Sequence, residues 1–307
     1  LATLLRGLKG YASDLTAIVT VADDGGSSGL LRREMGLLPP GDLRNCIADL
    51  ADAEPLMAQL LQYRFGRGSG LAGHTFGNLL IAAMAEITGS FETAITEASR
   101  VLAVRGRIMP STLDNVTLCA EVSGVASDEA MRLVCGESQI TKAGGRVERV
   151  FIQPNHVQGY PEAIRALLHA DMVVLGPGSL YTSILPNLLV DDICQALRAS
   201  TAIKVYICNV ATQPGETDSY TIADHVRALN AHLGGNVCTC VLANDNIAFE
   251  LPANSGSQMV SPECEAIEGC PFVLGDLVDR ALPWRHDPER LATALLRLYH
   301  RRAAPEG

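Results

Sequence analysis

Five short runs of the chain gather glycines, hydroxyls, amides and acids in patterns suited to holding phosphate. In residues 23–29, Gly25, Gly26 and Gly29 permit tight turns with exposed amides, and Ser27 and Ser28 add hydroxyl donors. Asp23 and Asp24 suit such a site only as ligands to Mg²⁺ or as acceptors from a ligand hydroxyl or ring nitrogen. An ordinary strand-exit turn with an aspartate cap fits the same run. In residues 39–45, Pro-Pro-Gly-Asp-Leu-Arg-Asn, the prolines and glycine read as a turn entering a helix. Arg44 and Asn45 there are able to face an anion, while Asp42 suits a helix cap equally well.

Residues 70–78 precede a strongly apolar helix whose free amides and dipole favour an anion, with His74 and Asn78 as the side chains to watch. His74 has no serine or metal pair beside it in sequence, so a structural role competes with charge stabilisation. Residues 176–183 place Gly176, Gly178, Ser179, Tyr181 and Thr182 at a strand-to-helix junction, where small residues let the backbone approach a pyrophosphate. The run lacks the Gly-Lys-Ser/Thr of a Walker loop and the closing glycine of a nucleophile elbow, which argues against P-loop kinase and serine hydrolase chemistry. Residues 209–218 offer Asn209, Thr212, Gln213, Glu216 and Thr217 for a base or sugar, with a capped helix entry as the alternative.

These runs need a frame that brings them together. Short β-branched segments at 16–22, 147–153, 172–175, 205–210 and 237–242 have the character of buried parallel strands. Helical patterns at 44–61, 76–87, 91–102, 161–169, 186–199, 221–233 and 288–301 fall between most of them. The alternation predicts a mainly parallel sheet with helices on both faces in one domain over residues 1–307. Residues 117–149 break the rhythm with short runs and glycines, and read as a small antiparallel elaboration. In an open parallel sheet the carboxyl ends of the strands share one edge, so the polar loops converge there.

Composition narrows the ligand. With 34 acidic against 24 basic residues the formal charge is -10, which disfavours nucleic acid and anionic lipid as partners. Nine cysteines without framework spacing read as buried thiols of a reducing compartment, and the cytoplasm is the expected location. Cys238 and Cys240 fall on one face if the run 237–243 alternates strictly, without the second pair a zinc site needs. No apolar run approaches the ~20 residues of a membrane span, so membrane insertion is not expected. The chain starts at Leu1 already in helical rhythm, and a targeting segment ahead of it is neither visible nor excluded.

Taken in order, residues 19–29, 39–45, 71–78, 176–183 and 209–217 resemble the gluconeogenesis factor (YvcK-type) family over nearly the whole chain, and more distantly the CofD-type 2-phospho-L-lactate transferases. The resemblance implies a Rossmann-like α/β fold in a cytoplasmic bacterial homodimer that binds a UDP-sugar such as UDP-N-acetylglucosamine or UDP-glucose. It also implies a role in cell shape and growth on gluconeogenic carbon sources rather than an established reaction. CofD-type relatives transfer a phospholactyl group from a guanosine diphosphate donor to a deazaflavin with Mg²⁺, which offers an alternative with Asp23 or Asp24 at the metal or acceptor side. Family members carry a glycine-rich loop for the diphosphate immediately ahead of the segment matching Leu1.

Overall fold

The β-branched runs expected to form strands are distributed over three sheets in the structure, a computed structural model that describes residues 1–11, 14–124, 131–263 and 267–303. The strands are β1 (Thr16–Val19), β2 (Arg107–Pro110), β3 (Thr117–Ser123), β4 (Arg132–Cys135), β5 (Arg146–Gln153), β6 (Met172–Leu175), β7 (Ile203–Ile207), β8 (Cys240–Asn244) and β9 (Phe272–Gly275). The helices of the first half are α1 (Ala2–Leu8), α2 (Gly26–Met35), α3 (Gly41–Leu50), α4 (Pro55–Gln62), α5 (Phe76–Thr88) and α6 (Phe91–Val101). They are followed by α7 (Glu137–Ile140), α8 (Pro161–His169), α9 (Leu185–Leu188), α10 (Asp191–Ala199), α11 (Ile222–Leu233) and α12 (Pro288–Ala303).

Strands β6, β7, β8 and β9 form a parallel sheet in that order, and β1 pairs in parallel with β2. Alternation along β7 shows how helices come to cover both faces of the sheet. Val205 and Ile207 pack with Leu4 of α1 and Leu291, Leu295 and Leu298 of α12, whereas Tyr206 joins the larger core on the other face. Period-two side chains on a central strand require apolar cover on each side, and the flanking helices supply it.

Five sequence expectations change. Residues 147–153 form β5, which runs antiparallel to β3 rather than joining the parallel sheet, in the order β4-β3-β5. Its partly solvent-facing pattern suits a half-covered antiparallel strand. The long helix expected at 44–61 is two helices, because Pro55 forces an extended Glu54 ahead of α4. The helix expected at 186–199 likewise breaks into α9 and α10 at an extended Val190. Cys119 and Cys135 are not thiols: they face each other across β3 and β4 and form a disulfide. Cys238 packs in the larger core and Cys240 in the smaller, because regular strand structure begins only at Cys240, so the two do not share a face.

Part of the expected elaboration at 117–149, residues 125–130, lies outside the described residues. Among the described residues no single helix is long and apolar enough to cross a membrane; the pair α5 and α6 passes on composition only and is bent by 118°.

Candidate functional site

Beyond β1 the chain stays buried through Ala22 and then turns on its own aspartates. One Asp23 carboxylate oxygen accepts the Gly25 amide at 2.8 Å, closing a local turn that starts α2. The serines expected in a loop are therefore the first turn of a helix. Gly25 occupies the cap position without a side-chain hydrogen bond, so the leading amides of α2 lack a capping oxygen. Ser27 Oγ lies 3.1 Å from His74 Nδ1 and accepts the Thr75 amide at 3.4 Å, while the Asn78 amide approaches Ser28 Oγ at 3.4 Å. His74 and Asn78 thus buttress the first loop from the start of α5. Helix α3 crosses so closely that a Cβ on Gly41 would stand 2.5 Å from Ser28 Oγ and 3.0 Å from Asp23. Only glycine admits that approach.

Arg44 is buried behind this loop, donating at 2.8 Å to Gln62 and at 2.8 Å to its neighbour Asn45. A cavity of about 220 Å³ opens between α2, Arg44, Asn45, Arg64 and Asn78.

The second half of the site is built from the loops after β6 and β7. The Asn209 side chain donates to the Gly178 carbonyl at 2.9 Å and accepts the Gly178 amide at 3.3 Å. It also donates at 3.1 Å to Gln213, which in turn donates at 2.7 Å to Ser179 Oγ. Four expected residues, Gly178, Ser179, Asn209 and Gln213, therefore form one network, and Gly176 sits beside it. Tyr181, Thr182, Thr212 and Thr217 are buried and work as braces. The Tyr181 and Tyr220 hydroxyls lie 2.7 Å apart, and Thr182 donates to Glu216 at 3.0 Å. Thr212 and Thr217 hydroxyls accept backbone amides at 2.9 Å each. Burial raises the Glu216 pKa, opposed by the Thr182 hydroxyl and the amides of Tyr181 and Thr182. Those two amides face Glu216, leaving Gly176 to Ser179 as the part of this turn open to a ligand.

Several participants escaped sequence reasoning. The antiparallel sheet carries α7 onto the first loop, where the Ser138 amide donates to Asp24 at 2.9 Å. Its neighbour Glu137 is pushed up to about 7, chiefly by burial and then by Asp23, Asp42, Glu216 and Asp24. Asp42 is raised as well, by burial and by Asp23. His286, buried from a distant segment, is lowered to about 4 by burial, opposed by a hydrogen bond with the Cys208 backbone beside Asn209. Nothing local in the sequence around Glu137, Arg64 or His286 marks them, since tertiary packing brings them in.

The two halves meet at a crevice. A cavity of about 880 Å³ has a polar mouth at Asp42, Asn45, Gly176, Gly178, Ser183 and Asn187. The same cavity is lined by Thr16 to Val19 of β1 and Met172 to Leu175 of β6, two strands that do not pair with each other. Open strand edges offer backbone hydrogen bonds to another strand and suit a nucleotide poorly, so the mouth is the ligand-sized polar part. The Leu1 amino group donates to the Pro177 carbonyl, which sets the start of α1 against the loop 176–183. As for a cation, no group of three or more His, Cys, Asp or Glu among the described residues has the arrangement to hold a metal. Asp23 and Asp24 each bind a backbone amide instead and do not form a protein-only cage.

Comparison with known proteins agrees with this architecture. The family model described as 2-phospho-L-lactate transferase CofD matches residues 1–278. The Bacillus subtilis protein named gluconeogenesis factor is 47% identical over 305 residues, which cover 97% of this chain and 94% of that protein. A Nostoc relative is 48% identical over 308 residues, or 97% of this chain, which spans 66% of that relative's length. A crystal structure of a Bacillus halodurans protein superposes with a TM-score of 0.87 at 42% identity, covering 96% of this chain and 95% of the other. This chain belongs to the gluconeogenesis factor family, within the wider CofD family.

Proposed function

We propose that the chain is a gluconeogenesis factor that binds a UDP-sugar in the crevice at the carboxyl ends of its parallel strands. The observation that carries this reading is that Gly176 and Gly178 after β6 line one crevice with Asp42 and Asn45 of α3, and that Asn209 after β7 holds Gly178 from behind through the network with Gln213 and Ser179. The diphosphate lies against Gly176 to Ser179, and the base or ribose against Asn209 and Gln213. Gly25, Gly26, Ser27, Ser28, Asn45, His74 and Asn78 form the opposite wall. Binding reports nucleotide-sugar supply to a cytoplasmic homodimer that adjusts growth and cell shape on gluconeogenic carbon. Calorimetry on the full-length protein tests this: UDP-N-acetylglucosamine gives saturable heat and GDP does not. Absence of heat with the UDP-sugar at high protein concentration removes the reading.

The CofD match supports a second reading, phosphoryl-group transfer with Mg²⁺. The cation is then carried by the ligand's phosphates, with Asp23 or Asp24 as a single protein ligand and Arg44 and His74 stabilising charge. It predicts donor-dependent turnover that Asp23→Asn abolishes while nucleotide binding survives. GDP binding without any product from donor and acceptor mixtures counts against it.

A further inference from the structure

Arg44 has less than a tenth of its surface exposed, yet no described carboxylate lies within 4.0 Å of its guanidinium. Its two terminal nitrogens donate to the neutral amide oxygens of Gln62 and Asn45, and its Nε has no partner. A guanidinium removed from water without a counter-ion in contact is costly, and an arriving anion relieves that cost. Arg64 comes to the same place: its Nη1 donates to the Gly73 carbonyl and stands 3.9 Å from where a Cβ on Gly26 would be, and it too lacks a described carboxylate partner. Burial lowers the Arg44 pKa and the Arg64 charge lowers it further, while Asp42 and Asp23 oppose both.

The wall facing them is the start of the ten-residue helix α2, with uncapped amides and the hydroxyls of Ser27 and Ser28. Asn78, 2% exposed, also lines the cavity and has an oxygen without a partner. Turning its amide over gives that oxygen the Ser28 hydroxyl as donor and points the NH₂ group inward. Two acids share the lining: Asp23, one of whose oxygens is taken by the Gly25 amide, and Asp42, raised toward its neutral form. At about 30 Å³ per water the 220 Å³ cavity holds roughly seven, room for one phosphoryl group with some solvent. Donors arrive from the helix amides, the inward Asn78 NH₂ group and two guanidinium groups, more directions than a planar carboxylate uses and suited to a tetrahedral oxyanion.

We propose that this cavity, bounded by Ser27, Ser28, Arg44, Arg64 and Asn78, is a dedicated site for a phosphate-class oxyanion, separate from the diphosphate subsite at Gly176 to Ser179. Asp42 and Asn45 line both this cavity and the crevice, so the anion belongs to the far end of the crevice ligand or to a second ligand beside it. Only that placement rests on the nucleotide reading; the donor set does not.

The test is calorimetry of inorganic phosphate against the full-length protein without nucleotide. One saturable site is expected, weakened about tenfold by Arg64→Gln and more by Asn78→Asp, which adds a negative charge. The Arg64 side chain is exposed, and unchanged thermal melting of Arg64→Gln confirms its fold. No saturable phosphate binding by the wild type, or equal binding by the wild type and a folded Arg64→Gln, overturns the proposal. A UDP-N-acetylglucosamine titration on the same samples separates the two ideas. Phosphate binding without nucleotide binding removes the crevice reading alone, and the converse removes the oxyanion site alone.

Discussion

The Asn209 side chain exchanges two hydrogen bonds with the Gly178 backbone, one in each direction, and so locks the loop after β7 to the loop after β6. Asn209→Ala removes both, together with the bond to Gln213. At about 1 kcal/mol per neutral hydrogen bond the loss of three approaches 3 kcal/mol of stability, read from a denaturant midpoint. UDP-sugar affinity is expected to fall about tenfold or more, because the loop is no longer held ready. Unchanged affinity in a folded variant removes the network from the site.

A second tie joins distant parts of the chain. Asp24 accepts the Ser138 amide, holding α7 of the antiparallel sheet against the first loop. Asp24→Ala is expected to raise amide exchange across residues 136–140 and to cost about 1–3 kcal/mol, as for a hydrogen bond to a charged group. Exchange confined to residues 23–29 contradicts the tie.

Glu137 makes stability depend on pH in an unusual direction. Its folded pKa is raised from the ordinary 4.5 to about 7, so the native state holds this proton where the unfolded chain has released it. Stability therefore declines as pH rises from about 4.5 to about 7 and levels off above. His286 acts oppositely between about 4 and 6.5, since its folded pKa is lowered and acid favours the unfolded, charged form. The difference between wild type and Glu137→Gln isolates the glutamate. Denaturant midpoints across that range should show the variant gaining on the wild type as pH rises, and parallel curves would refute the assignment.

Gly29 sits where any side chain meets backbone. A Cβ there would stand 1.9 Å from the Asp24 carbonyl, an overlap that neither partner can swing away from. Gly29→Ala is expected to displace the start of α2 and to cost about 1–3 kcal/mol, as overpacking does. Melting temperature and phosphate binding should both drop; a variant with wild-type values in both shows that the loop tolerates the shift.

How much of this was legible in sequence follows the range of the interactions. Strand β6 and helix α8 fall where periodicity puts them, at Met172–Leu175 and Pro161–His169, because local pattern and burial agree. Residues 26–29 are the first turn of α2 rather than a loop, since glycines and serines start helices as readily as they form turns. The direction of β5 was hidden because β-branched composition does not encode strand polarity. Arg64, Glu137 and His286 left no local trace, as each acquires its role only from partners distant in the chain. Tyr181 and Thr182, chosen for their place in a glycine-rich run, turn inward onto Tyr220 and Glu216.

Nucleotide-sugar is proposed to occupy the crevice lined by Asp42, Asn45, Gly176 and Gly178. A crystal structure of the full-length protein with UDP-N-acetylglucosamine tests it most directly. The expected result is a diphosphate within hydrogen-bonding distance of the turn from Gly176 to Ser179 and uridine beside Asn209 and Gln213. An ordered nucleotide bound elsewhere, with that crevice holding only solvent, would contradict it.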